Sequence, residues 1–123
     1  MLNNIVSDNL EHILESIVLI EKRFSTIDAP DEFISSPDGV LILDAISMRL
    51  QVIGELTRKI YKTEASLLEK YPGIEWNKII KLREIISHHY EIVDHEIIFD
   101  ICKNHVPILK SIIQQIIQKE TSN

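Results

Sequence analysis

The sequence has little cysteine, glycine or proline. Among its 123 residues there are one Cys, three Gly and four Pro. The single thiol, Cys102, excludes an internal disulfide and a cysteine-based metal cluster, and it suits a reducing compartment. So few turn-forming residues favour long elements over many short strands. The length and the apolar content of 45% predict one domain, residues 1–123, with one hydrophobic core.

Long hydrophobic runs and an excess of basic charge are also absent. The longest apolar runs, IVLI and VLIL, are far shorter than the ~20 residues that a membrane-spanning helix requires. Met1 is followed by polar residues such as Asn3, Asn4 and Asp8, so no signal peptide is predicted. We therefore expect a cytoplasmic protein without a membrane partner. The net charge of −6 argues against strong nonspecific binding to nucleic acid and against a DNA partner, although it leaves room for a local RNA site.

Apolar residues recur every three or four positions, which is the helical period. This pattern predicts helices at about residues 2–24, 37–61, 75–88 and 95–119, and a short helix that starts at Thr63. In the segment SIIQQIIQ, isoleucine pairs lie one helical turn apart, so a helix is favoured over a strand. The expected fold is all-α, an up-down bundle of four to five helices.

Helix starts and a break can also be read from the sequence. Asp28 before Pro30, Ser36 before Pro37, and Asp94 are candidate N-caps, because short polar side chains bond to the free amides of the first turn. Pro107 either kinks the last helical segment or begins a separate helix after Asn104. The spacing alone leaves both possibilities open.

The segment LREIISHHY combines side chains that can act on a phosphodiester. Arg83 and Tyr90 are seven residues apart, so their side chains would project from an ideal helix in nearly the same direction. The side chain of His88 would point about 140° away from that of Arg83 around the helix axis. One interpretation is a helix C-terminus whose histidines complement the dipole. The other is a nuclease site, because histidine can take and give a proton near neutral pH and arginine forks onto phosphate. The two interpretations differ in function, and the spacing does not separate them.

The remaining chemical side chains give weaker signals. The last third of the chain contains four histidines, His88, His89, His95 and His105. They show neither the HxxxH spacing nor a carboxylate at a helical ligand spacing, so neither a metal site nor a cofactor is expected. Cys102 lies in an apolar stretch, which is typical of buried packing rather than a nucleophile. Trp76, at a helix start, is predicted to anchor the core.

Three blocks of the chain resemble one known family in order and spacing. They are RLQVIGEL at 49–56, YPGIEWNKIIKLREIISHHY at 71–90 and VDHEIIFDICKNHVPIL at 93–109. The central block contains R-x4-H-x-Y, and on these residues the chain resembles the HepT-like family of the HEPN superfamily. The stretch EFI at 32–34 also looks like the family's short preceding turn, and with it the resemblance covers about two-thirds of the chain.

The resemblance implies a helical bundle that forms a homodimer or an assembly of dimers. It implies a metal-independent endoribonuclease acting on RNA, tRNA being one candidate, as the toxin of a type VII toxin–antitoxin pair. Its partner would be a small nucleotidyltransferase antitoxin that adenylylates the motif tyrosine. Carried over, Arg83 stabilises the phosphorane, His88 transfers protons and Tyr90 is the modification site. His89 inherits no role.

The chain departs from the family pattern at one position. The family usually has Asn after the arginine, and here that residue is Glu84. A carboxylate there would repel phosphate, or would pair with Arg83 and hold it back. An alternative function follows: a non-catalytic subunit that binds nucleotide or protein, dimerises and docks the nucleotidyltransferase without cutting RNA.

Overall fold

A computed structural model describes residues 3–88 and 94–121, without the side chains of Ser87, His88 and Thr121. All regular structure in these two ranges is helical, which confirms the predicted all-α bundle. In chain order the helices are α1 (Asn4–Phe24), α2 (Pro37–Glu69), α3 (Trp76–Ile80), α4 (Leu82–His88), α5 (His95–Asp100) and α6 (Val106–Thr121). A 3-10 turn, Pro30–Phe33, precedes α2, and a π-helical turn, Ile101–His105, joins α5 to α6.

Two of the three predicted N-caps are confirmed. Ser36 Oγ accepts a hydrogen bond from the Gly39 amide at 3.0 Å, with Pro37 as the first residue of α2. Asp94 Oδ1 accepts from the amides of Glu96 and Ile97 at 3.0 and 3.1 Å. Each side-chain oxygen satisfies amides that the first helical turn leaves without a partner.

The third predicted cap, Asp28, is wrong. The 3-10 turn has no side-chain cap. Instead, the Asp28 amide donates to Glu32 Oε1 at 2.7 Å. The carboxylate of Glu32 reaches back over the turn to the Asp28 amide, so Glu32 rather than Asp28 supplies the stabilising side chain.

The short helix predicted to start at Thr63 is the last part of α2, which a kink at Glu64 separates from the rest. Glu64 is non-helical, with φ −143° and ψ 53°, and helical structure continues after it to Glu69. The predicted break is therefore confirmed, but Thr63 is not its cap. The Thr63 hydroxyl donates back to the Lys59 carbonyl at 3.1 Å. A hydroxyl bonded to the preceding turn does not cap a following helix, and such back-bonding often bends a helix.

The helix predicted over 75–88 is divided at Lys81. Helix α3 ends at Ile80 and α4 begins at Leu82, and the Lys81 amide bonds back to Asn77 O at 3.1 Å. The division lies where the chain passes over α2 at Gly54. A Cβ atom placed at Gly54 would lie 2.9 Å from the Ile79 carbonyl oxygen, so the two backbones are in close contact there.

Pro107 is accommodated by the π-helical turn that precedes it. The helical backbone runs from α5 through Ile101–His105 into α6, where Pro107 is the second residue. Proline lacks an amide hydrogen and its ring clashes with the carbonyl four residues earlier, here that of Lys103. Lys103 lies inside the wider π turn. Of the two alternatives drawn from the sequence, the structure is nearer to a new helix, because α6 begins at Val106, two residues after Asn104, and follows a widened turn of the same helical backbone.

The core lies between α1, α2 and α6, and α3 and α4 pack against the middle of α2. Helix α1 buries residues at alternating spacings of four and three, and α6 does the same. These are Val6, Leu10, Ile13, Ile17 and Ile20 of α1 and Val106, Leu109, Ile113 and Ile116 of α6. The burial of Ile113 and Ile116 confirms that SIIQQIIQ is helical.

Two further expectations concern single side chains and membranes. Trp76 is 8% exposed and its indole Nε1 donates to the Tyr71 carbonyl at 3.0 Å, which confirms it as a core anchor.

Within residues 3–88 and 94–121, no helix combines the length and hydropathy that crossing a bilayer requires.

Candidate active site

Arg83 is the second residue of α4 and points away from the core. The helix buries Leu82 and Ile86, four residues apart on one face. The Arg83 side chain lies off that face and is 63% exposed. An arginine held on a short packed helix, with its guanidinium in solvent, can reach a phosphate group of a ligand.

The guanidinium of Arg83 contacts a carboxylate on α2. Arg83 Nη1 lies 3.5 Å from Glu55 Oε2. The other oxygen of the same carboxylate, Oε1, accepts a hydrogen bond from Arg58 Nη2 at 3.1 Å, and Arg58 Nε lies 3.5 Å from Oε2. Glu55 is therefore shared between an arginine of its own helix and the motif arginine of α4.

The charge on Glu55 is stabilised by these neighbours. The hydrogen bond from Arg58 is the main cause that lowers the pKa of Glu55. Burial opposes it and is the second-largest effect, and the positive charges of Arg58, Arg83 and Lys59 each lower the pKa further. The same carboxylate raises the pKa of Arg58. Glu55 is consequently ionised at neutral pH, with three basic side chains around it.

Gly54 allows α4 to approach α2 closely enough for this contact. A Cβ atom at position 54 would lie 2.9 Å from the Ile79 carbonyl oxygen and 3.4 Å from the Arg83 amide nitrogen. Gly54 is buried and directly precedes Glu55. The residue that lets the backbones meet is thus next to the residue whose carboxylate contacts Arg83.

Glu84 does not pair with Arg83. Among the ion pairs of the described residues, Arg83 contacts Glu55, and the exposed Glu84 has no such contact. The expectation that Glu84 holds Arg83 back by pairing is wrong, because the carboxylate that reaches the guanidinium comes from α2. The other expectation for Glu84, repulsion of a bound phosphate, is untouched by this contact.

The other two motif residues are less fully described. His88 is the last residue of α4, five residues after Arg83 on one helix, but its side chain lies outside the described residues. Tyr90 lies outside them altogether, as does His89. The structure therefore brings Arg83 together with Glu55 and Arg58, and the roles expected for His88 and Tyr90 stay predictions.

Comparison with known proteins identifies the family of this chain. The family model described as "Ribonuclease HepT-like" matches residues 13–116, most of the chain. The chain belongs to the HepT-like family.

Several curated proteins are similar to this HepT-like chain. A protein of Caldanaerobacter subterraneus subsp. tengcongensis named "Putative RNase TTE0752" is 29% identical over 90% of this chain and 93% of its own length. A Methanocaldococcus jannaschii protein named "Putative RNase MJ1380" is 33% identical over 82% of this chain and 86% of its own. A Thermococcus cleftensis protein named "Probable ribonuclease HepT" is 29% identical over 84% and 87%. No solved structure matches the chain significantly.

The remaining candidate groups of the HepT-like chain do not assemble a second site. His95 Nε2 lies 3.4 Å from Asp31, and His105 Nε2 lies 3.3 Å from Asp100. In the described ranges, no three His, Cys, Asp or Glu side chains are placed to hold a metal ion. Burial raises the pKa of the Cys102 thiol to about 12, so the predicted packing role is confirmed.

A cavity of about 440 Å³ lies on the other side of α4. Its lining is mostly apolar and includes Leu82 and Ile85 of α4 and Leu109 of α6. Neither Arg83 nor Glu55 lines it. The candidate active site is therefore on the exposed face of α4 and not in this cavity.

Sequence reasoning missed Glu55 and Arg58. The available signal was local: RLQVIGELTR places a carboxylate directly after glycine and an arginine three residues later, which is the spacing of a helical ion pair. That spacing identifies the Glu55–Arg58 pair. The contact with Arg83, 28 positions away, depends on how α4 packs on α2.

Proposed function

We propose that this HepT-like chain is a metal-independent endoribonuclease and the toxin of a type VII toxin–antitoxin pair. The observation that carries the proposal is Arg83: an exposed arginine at the start of a helix that ends at His88, in a chain of a ribonuclease family. The Arg83 side chain is 63% exposed despite its contact with Glu55. Its exposed N–H groups are available to the non-bridging oxygens of a phosphate.

The proposed reaction uses the RNA's own 2′-hydroxyl as the nucleophile. His88 takes the 2′ proton as the 2′-oxygen attacks phosphorus, and Arg83 stabilises the negative charge that grows on the phosphorane oxygens. The bond from phosphorus to the 5′-oxygen then breaks, and the leaving oxygen takes a proton from a second acid or from water. The products are a 2′,3′-cyclic phosphate and a 5′-hydroxyl.

A dimer would complete the site. Arg83 and His88 lie about 140° apart around an ideal helix, so one copy of α4 does not readily present both to one phosphate. We propose that the cleft lies between two protomers related by a twofold axis close to α4. In support, the chain leaves several apolar side chains exposed, including Ile85 at 41%, Met48 at 54% and Leu41 at 67%. Light scattering should give at least twice the chain mass, and a single chain mass at micromolar concentration would contradict the shared cleft.

The proposed antitoxin is a small nucleotidyltransferase. It would transfer the adenylyl group of ATP to the phenol oxygen of Tyr90 and release pyrophosphate. An adenylyl phosphate two residues from His88 would place negative charge where the RNA phosphate must bind. Repulsion between the two phosphates would then block the substrate.

The alternative is a binding subunit that docks the nucleotidyltransferase without cutting RNA. The acidic Glu84 directly after Arg83 and the net charge of −6 favour it, because both weaken attraction of a polyanion. Expression in a bacterial host separates the two functions. The nuclease should arrest growth, and both His88→Ala and Arg83→Lys should abolish the arrest. Lysine keeps the charge of Arg83 but lacks the planar guanidinium that donates two hydrogen bonds to a phosphate. Growth arrest by all three chains would contradict the nuclease assignment.

A further inference from the structure

Two arginines share the carboxylate of Glu55, and only one of them belongs to the nuclease motif. Arg58 donates through Nη2 and Nε to the two carboxylate oxygens, at 3.1 and 3.5 Å. Arg83 approaches from α4 to 3.5 Å. Because both groups touch one carboxylate, the two guanidinium groups are close neighbours on the surface formed by α2 and α4.

This surface is locally basic although the chain is acidic. Arg58, Arg83 and Lys59 all act electrostatically on Glu55, and their three positive charges exceed the two negative charges of Glu55 and of Glu84, which directly follows Arg83. The net charge of the whole chain is −6. A local excess of positive charge around the motif arginine is what binding of successive backbone phosphates needs.

Arg58 keeps donors free for such a ligand. Its side chain is 41% exposed, and its contacts with Glu55 leave the Nη1 amino group without a partner among the described residues. The pair with Glu55 is an exposed contact within one helix, which adds little to folding stability. Its effect is instead to fix the direction of the guanidinium, so less rotamer entropy is lost when a phosphate binds.

We propose that Arg58 is a second phosphate-binding side chain, which contacts the RNA backbone phosphate next to the one that Arg83 binds. Glu55 is the positioning residue that sets the spacing of the two guanidinium groups. This inference rests on the proposed ribonuclease function, and it names a further contact of the same substrate. Arg58 binds the backbone and does not read bases, so its contribution is the same for different sequences.

The test is binding of a 2′-O-methyl oligoribonucleotide, which has phosphates but lacks the 2′-hydroxyl nucleophile. Fluorescence anisotropy would give the Kd at several salt concentrations for the wild type, Arg58→Gln and Lys70→Gln. Lys70 is the matched control, because it lies just after the far end of α2, is 59% exposed and pairs with Glu120. Its replacement removes the same charge and one surface ion pair.

The expected result is a loss of affinity confined to Arg58→Gln. Its Kd should rise about tenfold at low salt, as for loss of one charge-assisted contact. The slope of log affinity against log salt should become shallower by about 0.7, the value for one phosphate on a single strand. Lys70→Gln should leave both quantities unchanged.

The outcomes separate this inference from the ribonuclease proposal. If the wild type cleaves RNA and Arg58→Gln has the same Kd and salt slope as the wild type, the inference is overturned and the nuclease stands. If affinity depends on Arg58 but the wild type cuts no RNA, the phosphate contact is supported and the nuclease proposal fails. Equal losses in Arg58→Gln and Lys70→Gln would mean a general charge effect and would overturn the inference.

Discussion

Glu55 Oε2 lies 3.5 Å from Arg83 Nη1 and joins the middle of α2 to the start of α4. The guanidinium is still 63% exposed, so the contact orients the arginine without covering it. Arg58 donates a hydrogen bond to the other oxygen of the same carboxylate, Oε1, at 3.1 Å. The motif arginine is thereby supported by a residue outside the motif, which is how a preorganised phosphate-binding group is built.

Replacement of Glu55 should separate the effect of orienting Arg83 from the effect of the net charge of the site. In Glu55→Gln the basic surface gains one net positive charge, while Arg83 loses the anion that directs it. The added charge and the lost orientation act in opposite directions on RNA affinity, so we expect the Kd to change little. The single-turnover cleavage rate should fall about 10- to 100-fold, because the catalytic guanidinium is displaced. A faster cleavage rate in Glu55→Gln would contradict this account and would show that Glu55 competes with the phosphate for Arg83.

Gly54 should be intolerant of a side chain, whereas Gly73 should accept one. A Cβ at Gly54 would lie 2.9 Å from the Ile79 carbonyl oxygen, but at Gly73 it would meet nothing within 4 Å. We expect Gly54→Ala to lower the free energy of unfolding by ~1–3 kcal/mol, because overpacking forces the backbones apart, and to reduce cleavage by displacing α4. Gly73→Ala is the matched control. Equal denaturation midpoints for the two variants would contradict the close approach of α4 to α2.

Glu84→Asn should raise activity by relieving repulsion of the phosphate. Since Arg83 contacts Glu55 rather than Glu84, the change does not release a trapped arginine. The gain should therefore appear as a lower KM, up to about fivefold for an exposed charge interaction of ~1 kcal/mol. It should fade at high salt, where exposed charges are screened. A gain in kcat that persists at high salt would point instead to a direct effect on the reacting groups.

Tyr90 should be the adenylylation site. After co-expression with a nucleotidyltransferase encoded beside it, the chain should gain the mass of one adenylyl group, and Tyr90→Phe should not. Tyr71→Phe is the control and should still gain the adenylyl mass. Tyr71 lies outside the motif, and burial is the main cause that raises the pKa of its phenol. An adduct that survives in Tyr90→Phe would move the modification to another residue.

The helices follow from local sequence, but the division at Lys81 and the π turn before Pro107 do not. Spacings of three and four predict the buried faces of α1 and α6, and Ser36 and Asp94 mark helix starts through side-chain hydrogen bonds to nearby amides. The division at Lys81 lies where the chain passes over Gly54, a contact between distant positions. The π turn before Pro107 is one of several ways to accommodate a proline, and no nearby residue selects it.

In the candidate site, too, one part can be predicted from local sequence and the other depends on tertiary packing. Arg83 can be found from its motif, since the spacing to the histidine is local. Its partner Glu55 is 28 positions earlier and becomes adjacent only when α4 packs on α2. Glu84 is the nearer carboxylate in sequence, but successive residues of a helix point about 100° apart. Proximity along the chain therefore suggested the wrong partner for the arginine.

The central claim is that His88 and Arg83 cleave RNA without a metal, and the most direct test is product analysis with purified protein. Wild type, His88→Ala and His89→Ala would be incubated with total RNA and with tRNA, with and without EDTA. We expect products with a 2′,3′-cyclic phosphate, no effect of EDTA, a loss of ~10²–10⁴-fold in His88→Ala and little change in His89→Ala. Equal cleavage by the wild type and His88→Ala, or cleavage that EDTA abolishes, would contradict the claim.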